Sequence, residues 1–144
     1  MGDLSKYLSK AEYQCSCLHC GGSFPPDLYD EDGELAVVYE TFFSAFDDIR
    51  EMFGKAIKIN SGFRCVKHNQ DIGGEPNSVH TFGLALDMDG KNAAEVEWLA
   101  ECVEKTHDEL RMGKYLTSGT FVHCDAGYNI WPRASERWKS GIRW

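Results

Sequence analysis

The stretch that decides the fold of this chain is Ser78-Val79-His80-Thr81-Phe82-Gly83-Leu84-Ala85-Leu86-Asp87. Gly83 permits a turn, and the apolar run that follows, from Ala85 to Met88, is predicted to be a buried strand. Side chains alternate between the two faces of a strand, so Asp87 should point away from its apolar neighbours. The stretch therefore predicts a strand that presents a carboxylate on one face, with a histidine just before it in the chain.

A second run with candidate ligands, Phe121-Val122-His123-Cys124-Asp125, occurs much later in the sequence. Alternation directs His123 and Asp125 to one face of this strand and the residues between them to the core. A lone histidine on an apolar strand is more often a satisfied core residue than a ligand. Taken with His80 and Asp87, however, His123 completes a set of two imidazoles and one carboxylate, which suits zinc with a fourth position open to water.

The first half of the chain predicts one long helix and one short strand. Apolar residues recur at spacings of three and four over 35–53, which indicates an amphipathic helix that ends at Gly54. Residues 56–60 read as a short strand, and the polar, glycine-containing segment 68–76 reads as a loop. Before them, residues 1–34 contain prolines, glycines and cysteines, and we expect them to wrap irregularly around the domain.

The second half predicts another helix and a hairpin. Asn92 is a suitable N-cap for an amphipathic helix whose apolar positions run from Val96 to Leu110. Residues 114–117 and 120–126 read as two strands joined by a turn. The fold class is therefore α+β, with His123 placed in a sheet strand beside Asp87.

Several ordered blocks of the sequence resemble the zinc D-alanyl-D-alanine carboxypeptidase family. They are Ile59-Asn60-Ser61-Gly62-Phe63-Arg64-Cys65, His68-Asn69, Ile72-Gly73-Gly74, Ser78-x-His80-x-x-Gly83-x-Ala85-x-Asp87 and Val122-His123-x-Asp125. That family includes D-Ala-D-Ala dipeptidases and phage L-Ala-D-Glu endolysins, and it shares its fold with the hedgehog signalling domain. The resemblance implies a single zinc peptidase domain over 1–144, in which a small antiparallel sheet packs against two main helices and carries the zinc site on one face.

The resemblance also implies the function and the roles of the site residues. Zinc would bind to His80, Asp87 and His123, and the domain would hydrolyse a peptide bond in the stem peptides of peptidoglycan, as a D-Ala-D-Ala carboxypeptidase or as an endopeptidase. Arg64 would hold a substrate carboxylate, since a guanidinium fork suits bidentate carboxylate binding. The rival interpretation is a non-catalytic domain that keeps the zinc and binds wall peptide or a protein partner.

Three further polar residues near these motifs have open roles. Ser78 is either a helix cap or a hydrogen-bond donor to the substrate. Asn69 and His68 either contact the substrate region or only order their loop. They lie in the family-like blocks, so we count Ser78 and Asn69 as candidate substrate-binding residues.

The general base is the position where the sequence departs from the family pattern. Some branches place a glutamate three residues before the last histidine ligand or a histidine two residues before it, but Thr120 and Phe121 occupy these positions. Asp125 is the nearest remaining candidate for the base, followed by His68. Asp125 could equally orient a ligand histidine.

The cysteines form a second candidate site. The chain has six, namely Cys15, Cys17, Cys20, Cys65, Cys102 and Cys124. The last two fall on apolar faces and read as core residues. The first three, completed by His19 or Cys65, could form a closed tetrahedral zinc site, while a disulfide and free thiols remain open alternatives.

Composition and charge limit the partners. A net charge of -8 and a pI near 5.0 argue against a nucleic-acid partner. No segment is apolar enough to span a membrane, and the N-terminus lacks a signal peptide, so we expect a monomer that is made in the cytoplasm and acts at the bacterial cell wall, for example after phage-type release. The basic C-terminal tail is interpreted as a solvated segment packed by its tryptophans rather than as a ligand surface; it comprises Trp131, Arg133, Arg137, Trp138, Lys139, Arg143 and Trp144.

Overall fold

An antiparallel sheet positions the candidate ligands. The computed structural model describes residues 2–130 and 138–144, and within them the strands are β1 (Ile59–Ser61), β2 (Ala85–Asp89), β3 (Arg111–Tyr115) and β4 (Phe121–Asp125). They form one four-stranded sheet in the order β1-β2-β4-β3. The strands that carry Asp87 and His123 are therefore adjacent and central, and the register sets these two residues directly opposite each other.

The helices cover the apolar side of this sheet. The described part of the chain contains the α-helices α1 (Lys10–Tyr13), α2 (Val37–Phe53), α3 (Val66–Asp71) and α4 (Ala93–Thr106). The two long ones, α2 and α4, pack against each other, and α4 also contacts β3 and β4. Leu86 and Met88 of β2 and Val122 and Cys124 of β4 are at most 1% exposed, and strand alternation leaves the opposite face of the sheet for Asp87 and His123. The predicted α+β architecture is confirmed.

Both long helices begin close to the residues that the sequence indicates, and α2 also ends as predicted, whereas α4 ends at Thr106, before the predicted helix position Leu110. Helix α2 ends at Gly54, whose φ of 88° is left-handed, a conformation that favours glycine. Helix α4 starts after Asn92, whose side chain accepts a hydrogen bond from the backbone N–H of Glu95 at 2.9 Å. None of the described helices combines the length and the apolar character needed to cross a membrane.

Some boundaries differ from the prediction. The prediction of a loop over 68–76 is partly wrong, because the first residues of this segment belong to α3. The sulfur of Cys65 caps this helix, and Lys67 pairs with Asp71 one turn later at 2.7 Å, so the local bonds outweigh the helix-ending effect of the nearby glycines. The strand predicted at 114–117 instead begins at Arg111, since pairing with β4 extends it towards the helix.

The two ends of the chain add to this framework. In the N-terminal segment, α1 is a single turn with a capping box between Ser9 and Glu12. At the C-terminus, Trp144 continues the sheet by donating its backbone N–H to the carbonyl of Met112 at 3.0 Å. Its indole lies so close to Gly113 that a Cβ there would be 2.4 Å from the indole nitrogen, so any larger residue would displace the indole.

Candidate metal centre

His80, Asp87 and His123 converge on one point of the exposed sheet face. His80 comes from a 3₁₀ helix, Val79–Phe82, while Asp87 and His123 come from β2 and β4. Asp87 Oδ1 lies 2.9 Å from His123 Nδ1 and 3.3 Å from His80 Nε2. Two donors that each lie 2.0–2.1 Å from a tetrahedral zinc ion are about 3.4 Å apart. One atom from each of the three side chains is therefore placed where a single ion can contact all three.

The hydrogen bonds of His80 leave one of its nitrogens available. Its side chain is only 2% exposed. Nδ1 lies 2.7 Å from the carbonyl oxygen of Gly62, so the N–H is on Nδ1 and Nε2 carries the lone pair. Nε2 is buried and has no hydrogen-bond partner among the residues that the structure describes. An unsatisfied buried nitrogen is costly, and a metal ion at the centre would satisfy it, so the residues fit zinc.

The loop around Gly83 holds His80 in place. Ser78 caps the 3₁₀ helix by accepting the backbone N–H of His80 at 3.3 Å, and Gly83 returns its own N–H to the carbonyl of His80 at 3.1 Å. Gly83 has a φ of 78°, and a Cβ on it would lie 2.3 Å from the hydroxyl of Tyr13. The glycine of the His80-x-x-Gly83 motif is thus required both by backbone conformation and by space.

A buried carboxylate orients the second histidine. The Nε2–H of His123 donates to Asp125 Oδ2 at 2.7 Å, which turns the Nδ1 edge towards Asp87. The other oxygen of Asp125 accepts hydrogen bonds from Arg111 Nη1 at 3.0 Å and from the backbone N–H of Gly127 at 2.9 Å. Asp125 is 1% exposed, and both of its oxygens are occupied. These bonds support a positioning role for Asp125.

Arg111 is a residue of the site that the sequence analysis missed. It lies directly opposite Asp125 in the pairing of β3 with β4, and it is buried with its guanidinium against that carboxylate. The guanidinium carbon Cζ of Arg111 lies 4.4 Å from the ring centroid of Trp138 and 5.1 Å from that of Trp144. The role of Arg111 follows from its position opposite the buried Asp125, and this position is known only once the register of the two strands is known.

The protonation states suit a cation. Burial lowers the pKa of His80, which favours the neutral, ligating form. Burial alone would raise the pKa of Asp87, but the hydrogen bond from His123 and the closeness of both imidazoles outweigh it and hold the pKa well below its usual range. Burial likewise would lower the pKa of His123, yet its bonds to Asp125 and Asp87 raise it to about 9. The proton shared by His123 and Asp87 therefore occupies the position that a metal ion would take.

Arg64 is presented to the site with unused hydrogen-bonding capacity. It follows β1, and its Nη1 donates to Asn69 Oδ1 at 3.2 Å. Its Nε is buried without a partner in the described part of the chain, and burial lowers the pKa of the guanidinium. Asn69 is itself buried and donates to the carbonyl of Glu75 at 2.8 Å, so it braces Arg64 and the following loop from below.

An open cleft of about 840 Å³ surrounds the candidate metal centre. Arg64, Glu75 and Ser78 line its polar side, whereas Trp138 and Trp144 line the other. The interpretation of the C-terminal tail needs correction: the tail is packed by its tryptophans, but Trp138 and Trp144 also form part of the cleft wall. Its other predicted members at 131, 133 and 137 lie outside the described residues.

Positions 120 and 121, where some branches of the family place a base, hold no side chain that could accept the proton, although Phe121 lines the cleft, and the candidate base His68 lies elsewhere. Thr120 donates its hydroxyl to the carbonyl of Gly90, and Phe121 stacks on Tyr115 with ring centroids 4.5 Å apart. His68 does not line the cleft, because its Nδ1 lies 3.3 Å from the sulfur of Cys15, beside a separate cysteine cluster.

Comparison with known proteins gives one finding. A protein-family model described as Peptidase M15 matches residues 6–125. This span includes His80, Asp87, His123 and Arg64, and it ends at Asp125. A comparison with curated proteins gives no match.

Proposed function

Because the chain belongs to the peptidase M15 family, we propose that it is a zinc metallopeptidase that hydrolyses a peptide bond in the stem peptides of peptidoglycan, and that it forms a single peptidase domain acting at the cell wall. The observation that carries the proposal is the buried Nε2 of His80, which has no hydrogen-bond partner among the described residues and faces Asp87 in an open cleft. When bound there, zinc would polarise the scissile carbonyl and acidify the attacking water.

The chain's own residues supply the substrate contacts. Arg64 is the cation best placed to hold a carboxylate of the stem peptide, because it lines the cleft and keeps a buried donor unpaired within the described residues. Ser78 lines the same side, and its hydroxyl hydrogen is available to a substrate while its oxygen caps His80. Trp144, whose ring centroid lies 5.4 Å from that of His123, limits the opposite side. These contacts fit a peptide with a free carboxylate.

Two carboxylates other than the ligand Asp87 line the described part of the cleft and can be tested as the proton acceptor. Asp125 is occupied by His123, Arg111 and a backbone N–H. Glu75 is exposed, and its side chain makes no hydrogen bond or ion pair with the described residues, so its carboxylate oxygens are available. We propose that Asp125 acts by positioning His123, and comparison of Asp125→Asn with Glu75→Gln tests which residue accepts the proton.

The experiment is digestion of purified peptidoglycan by the zinc-loaded protein, followed by mass spectrometry of the released products. Loss of D-Ala from the stem peptide would identify a carboxypeptidase, and an internal cut would identify an endopeptidase. Asp87→Ala is the matched inactive control. Binding of muropeptide without any product would instead support the non-catalytic alternative, which the absence of a base at Thr120 and Phe121 favours.

A further inference from the structure

Four cysteine sulfurs meet at a second place in the molecule, away from the His80 site. Cys15, Cys17 and Cys20 follow α1, and Cys65 stands at the start of α3, some fifty residues later in the chain. Cys17 Sγ lies 3.5 Å from Cys15 Sγ, 3.3 Å from Cys20 Sγ and 3.5 Å from Cys65 Sγ. All four sulfurs lie within 4.8 Å of one another. The fold therefore gathers residues that are distant in sequence into a compact tetrad.

We propose that Cys15, Cys17, Cys20 and Cys65 bind a structural zinc ion in a closed four-sulfur site. Zinc–sulfur bonds of about 2.3 Å place the ligands of a tetrahedral ion about 3.8 Å apart, within a few tenths of an ångström of the contacts around Cys17. His19 does not belong to the converging group, and its Nε2 instead faces Asp71 Oδ2 at 3.4 Å. Cys65 takes the fourth position.

The arrangement favours a shared ion over a disulfide. A disulfide singles out one partner at about 2.05 Å, whereas Cys17 is nearly equidistant from three other sulfurs and all four thiols are free. Four sulfurs that lie within 4.8 Å of one another, with Cys17 at bonding distance from none of the others, can share one ion.

Polar hydrogens also point at the sulfurs. The backbone N–H of Cys65 donates to Cys15 Sγ at 3.3 Å, that of His68 to Cys65 Sγ at 3.4 Å, and that of Ser23 to Cys20 Sγ at 3.5 Å. Such donors stabilise the negative charge of metal-bound thiolates. The ring of His68 adds another, since its Nδ1 lies 3.3 Å from Cys15 Sγ. This contact gives His68 a place in the cysteine site and accounts for its absence from the cleft.

The proposed ion would link the N-terminal segment to the substrate side of the cleft. Cys65 directly follows Arg64 and caps α3, and Asn69 of the same helix accepts the hydrogen bond from Arg64. An ion on Cys65 would thus fix the backbone on which Arg64 is carried. The site does not depend on peptidase activity, so its existence and the proposed function can fail separately.

The test is the zinc content of the purified, zinc-supplied protein together with X-ray absorption of the bound metal. Wild type should hold about two zinc ions per chain. The variant His80→Ala/His123→Ala should keep one, with a sulfur-only shell at about 2.3 Å. Cys17→Ser/Cys20→Ser should lose that ion, and Cys102→Ala, which removes a buried thiol outside the tetrad, should retain both.

Either of two results would overturn the proposal. One is a His80→Ala/His123→Ala protein that is folded by circular dichroism but holds no zinc, or holds it in a shell of nitrogen and oxygen. The other is a disulfide among the four cysteines, seen as a mass two hydrogens lower in the non-reduced wild type. Both measurements use variants that keep the tetrad intact, so they decide the matter even if the cysteine variants fail to fold.

Discussion

The carboxylate of Asp125 and the imidazole of His123 are joined on the side of the ring that faces away from the candidate metal centre. Nε2 of His123 lies 2.7 Å from Asp125, and Nδ1 lies 2.9 Å from Asp87. The ring is therefore held between two carboxylates, one that would share the ion and one that fixes its orientation. This relationship separates two roles that are indistinguishable in the sequence, namely acceptor of the water proton and support of a ligand.

Asp125→Asn should weaken zinc binding at the His80 site by about tenfold to a hundredfold, because a neutral amide orients His123 less firmly and no longer enhances its basicity. Excess zinc should restore the hydrolysis rate. Zinc titration of activity checks this outcome, with Glu75→Gln measured in parallel. A hundredfold loss of kcat that persists at saturating zinc would instead assign the proton transfer to Asp125.

Arg111→Leu should lower the free energy of unfolding by about 3–5 kcal/mol, since it leaves the buried charge of Asp125 without its partner. Urea unfolding of the zinc-loaded protein measures the change. Lys105→Met is the matched control, because its ion pair with Glu101 is exposed to solvent and should contribute little to stability. Equal effects of the two substitutions would contradict the buried role of Arg111.

Arg64→Lys should reduce kcat/KM by roughly tenfold to a hundredfold, because lysine keeps the charge but loses the planar fork that binds a carboxylate. Zinc content should not change. Steady-state kinetics on a stem peptide with a free carboxylate provides the measurement. Arg50→Lys, at a residue that stacks on Tyr7, serves as the control. Unchanged kinetics in Arg64→Lys would remove this side chain from substrate binding.

His107 should make folding stability depend on pH. Burial lowers its pKa, but hydrogen bonds to Asp48 and Glu109 outweigh burial and raise the pKa above the ordinary 6.5. Since the folded protein binds the proton more tightly, the stabilisation is complete below about pH 6.5 and is lost as the pH rises through the folded-state value. Wild type should exceed His107→Gln in urea stability by more at about pH 6 than at about pH 9. A difference that is independent of pH would contradict this.

Much of the site could be predicted because its ligands follow local patterns. Strand alternation sets Asp87 and His123 on one face, and the His80-x-x-Gly83 spacing requires the turn that delivers His80. Arg111 could not be found in this way, since its role in the site depends on the pairing of β3 with β4, which places it opposite Asp125. The sequence predicts a loop where α3 forms, because a cysteine cap carries no strong sequence signal.

The separation of His68 from the cleft has a similar cause. The sequence places His68 in a family-like block near Arg64, which makes a catalytic role attractive. The position of its side chain, however, is set by α3, which turns its ring towards Cys15. Proximity in sequence to a substrate residue therefore does not give proximity to the reaction.

The most direct test of the central claim is mass spectrometry of peptidoglycan digested by the zinc-loaded wild type and by Asp87→Ala. We expect the wild type to release stem-peptide products and Asp87→Ala to release none, with circular dichroism unchanged and zinc lost from the His80 site. Wild-type protein with full zinc occupancy that releases no product from peptidoglycans of several cross-link types, or an Asp87→Ala variant with full activity, would contradict it.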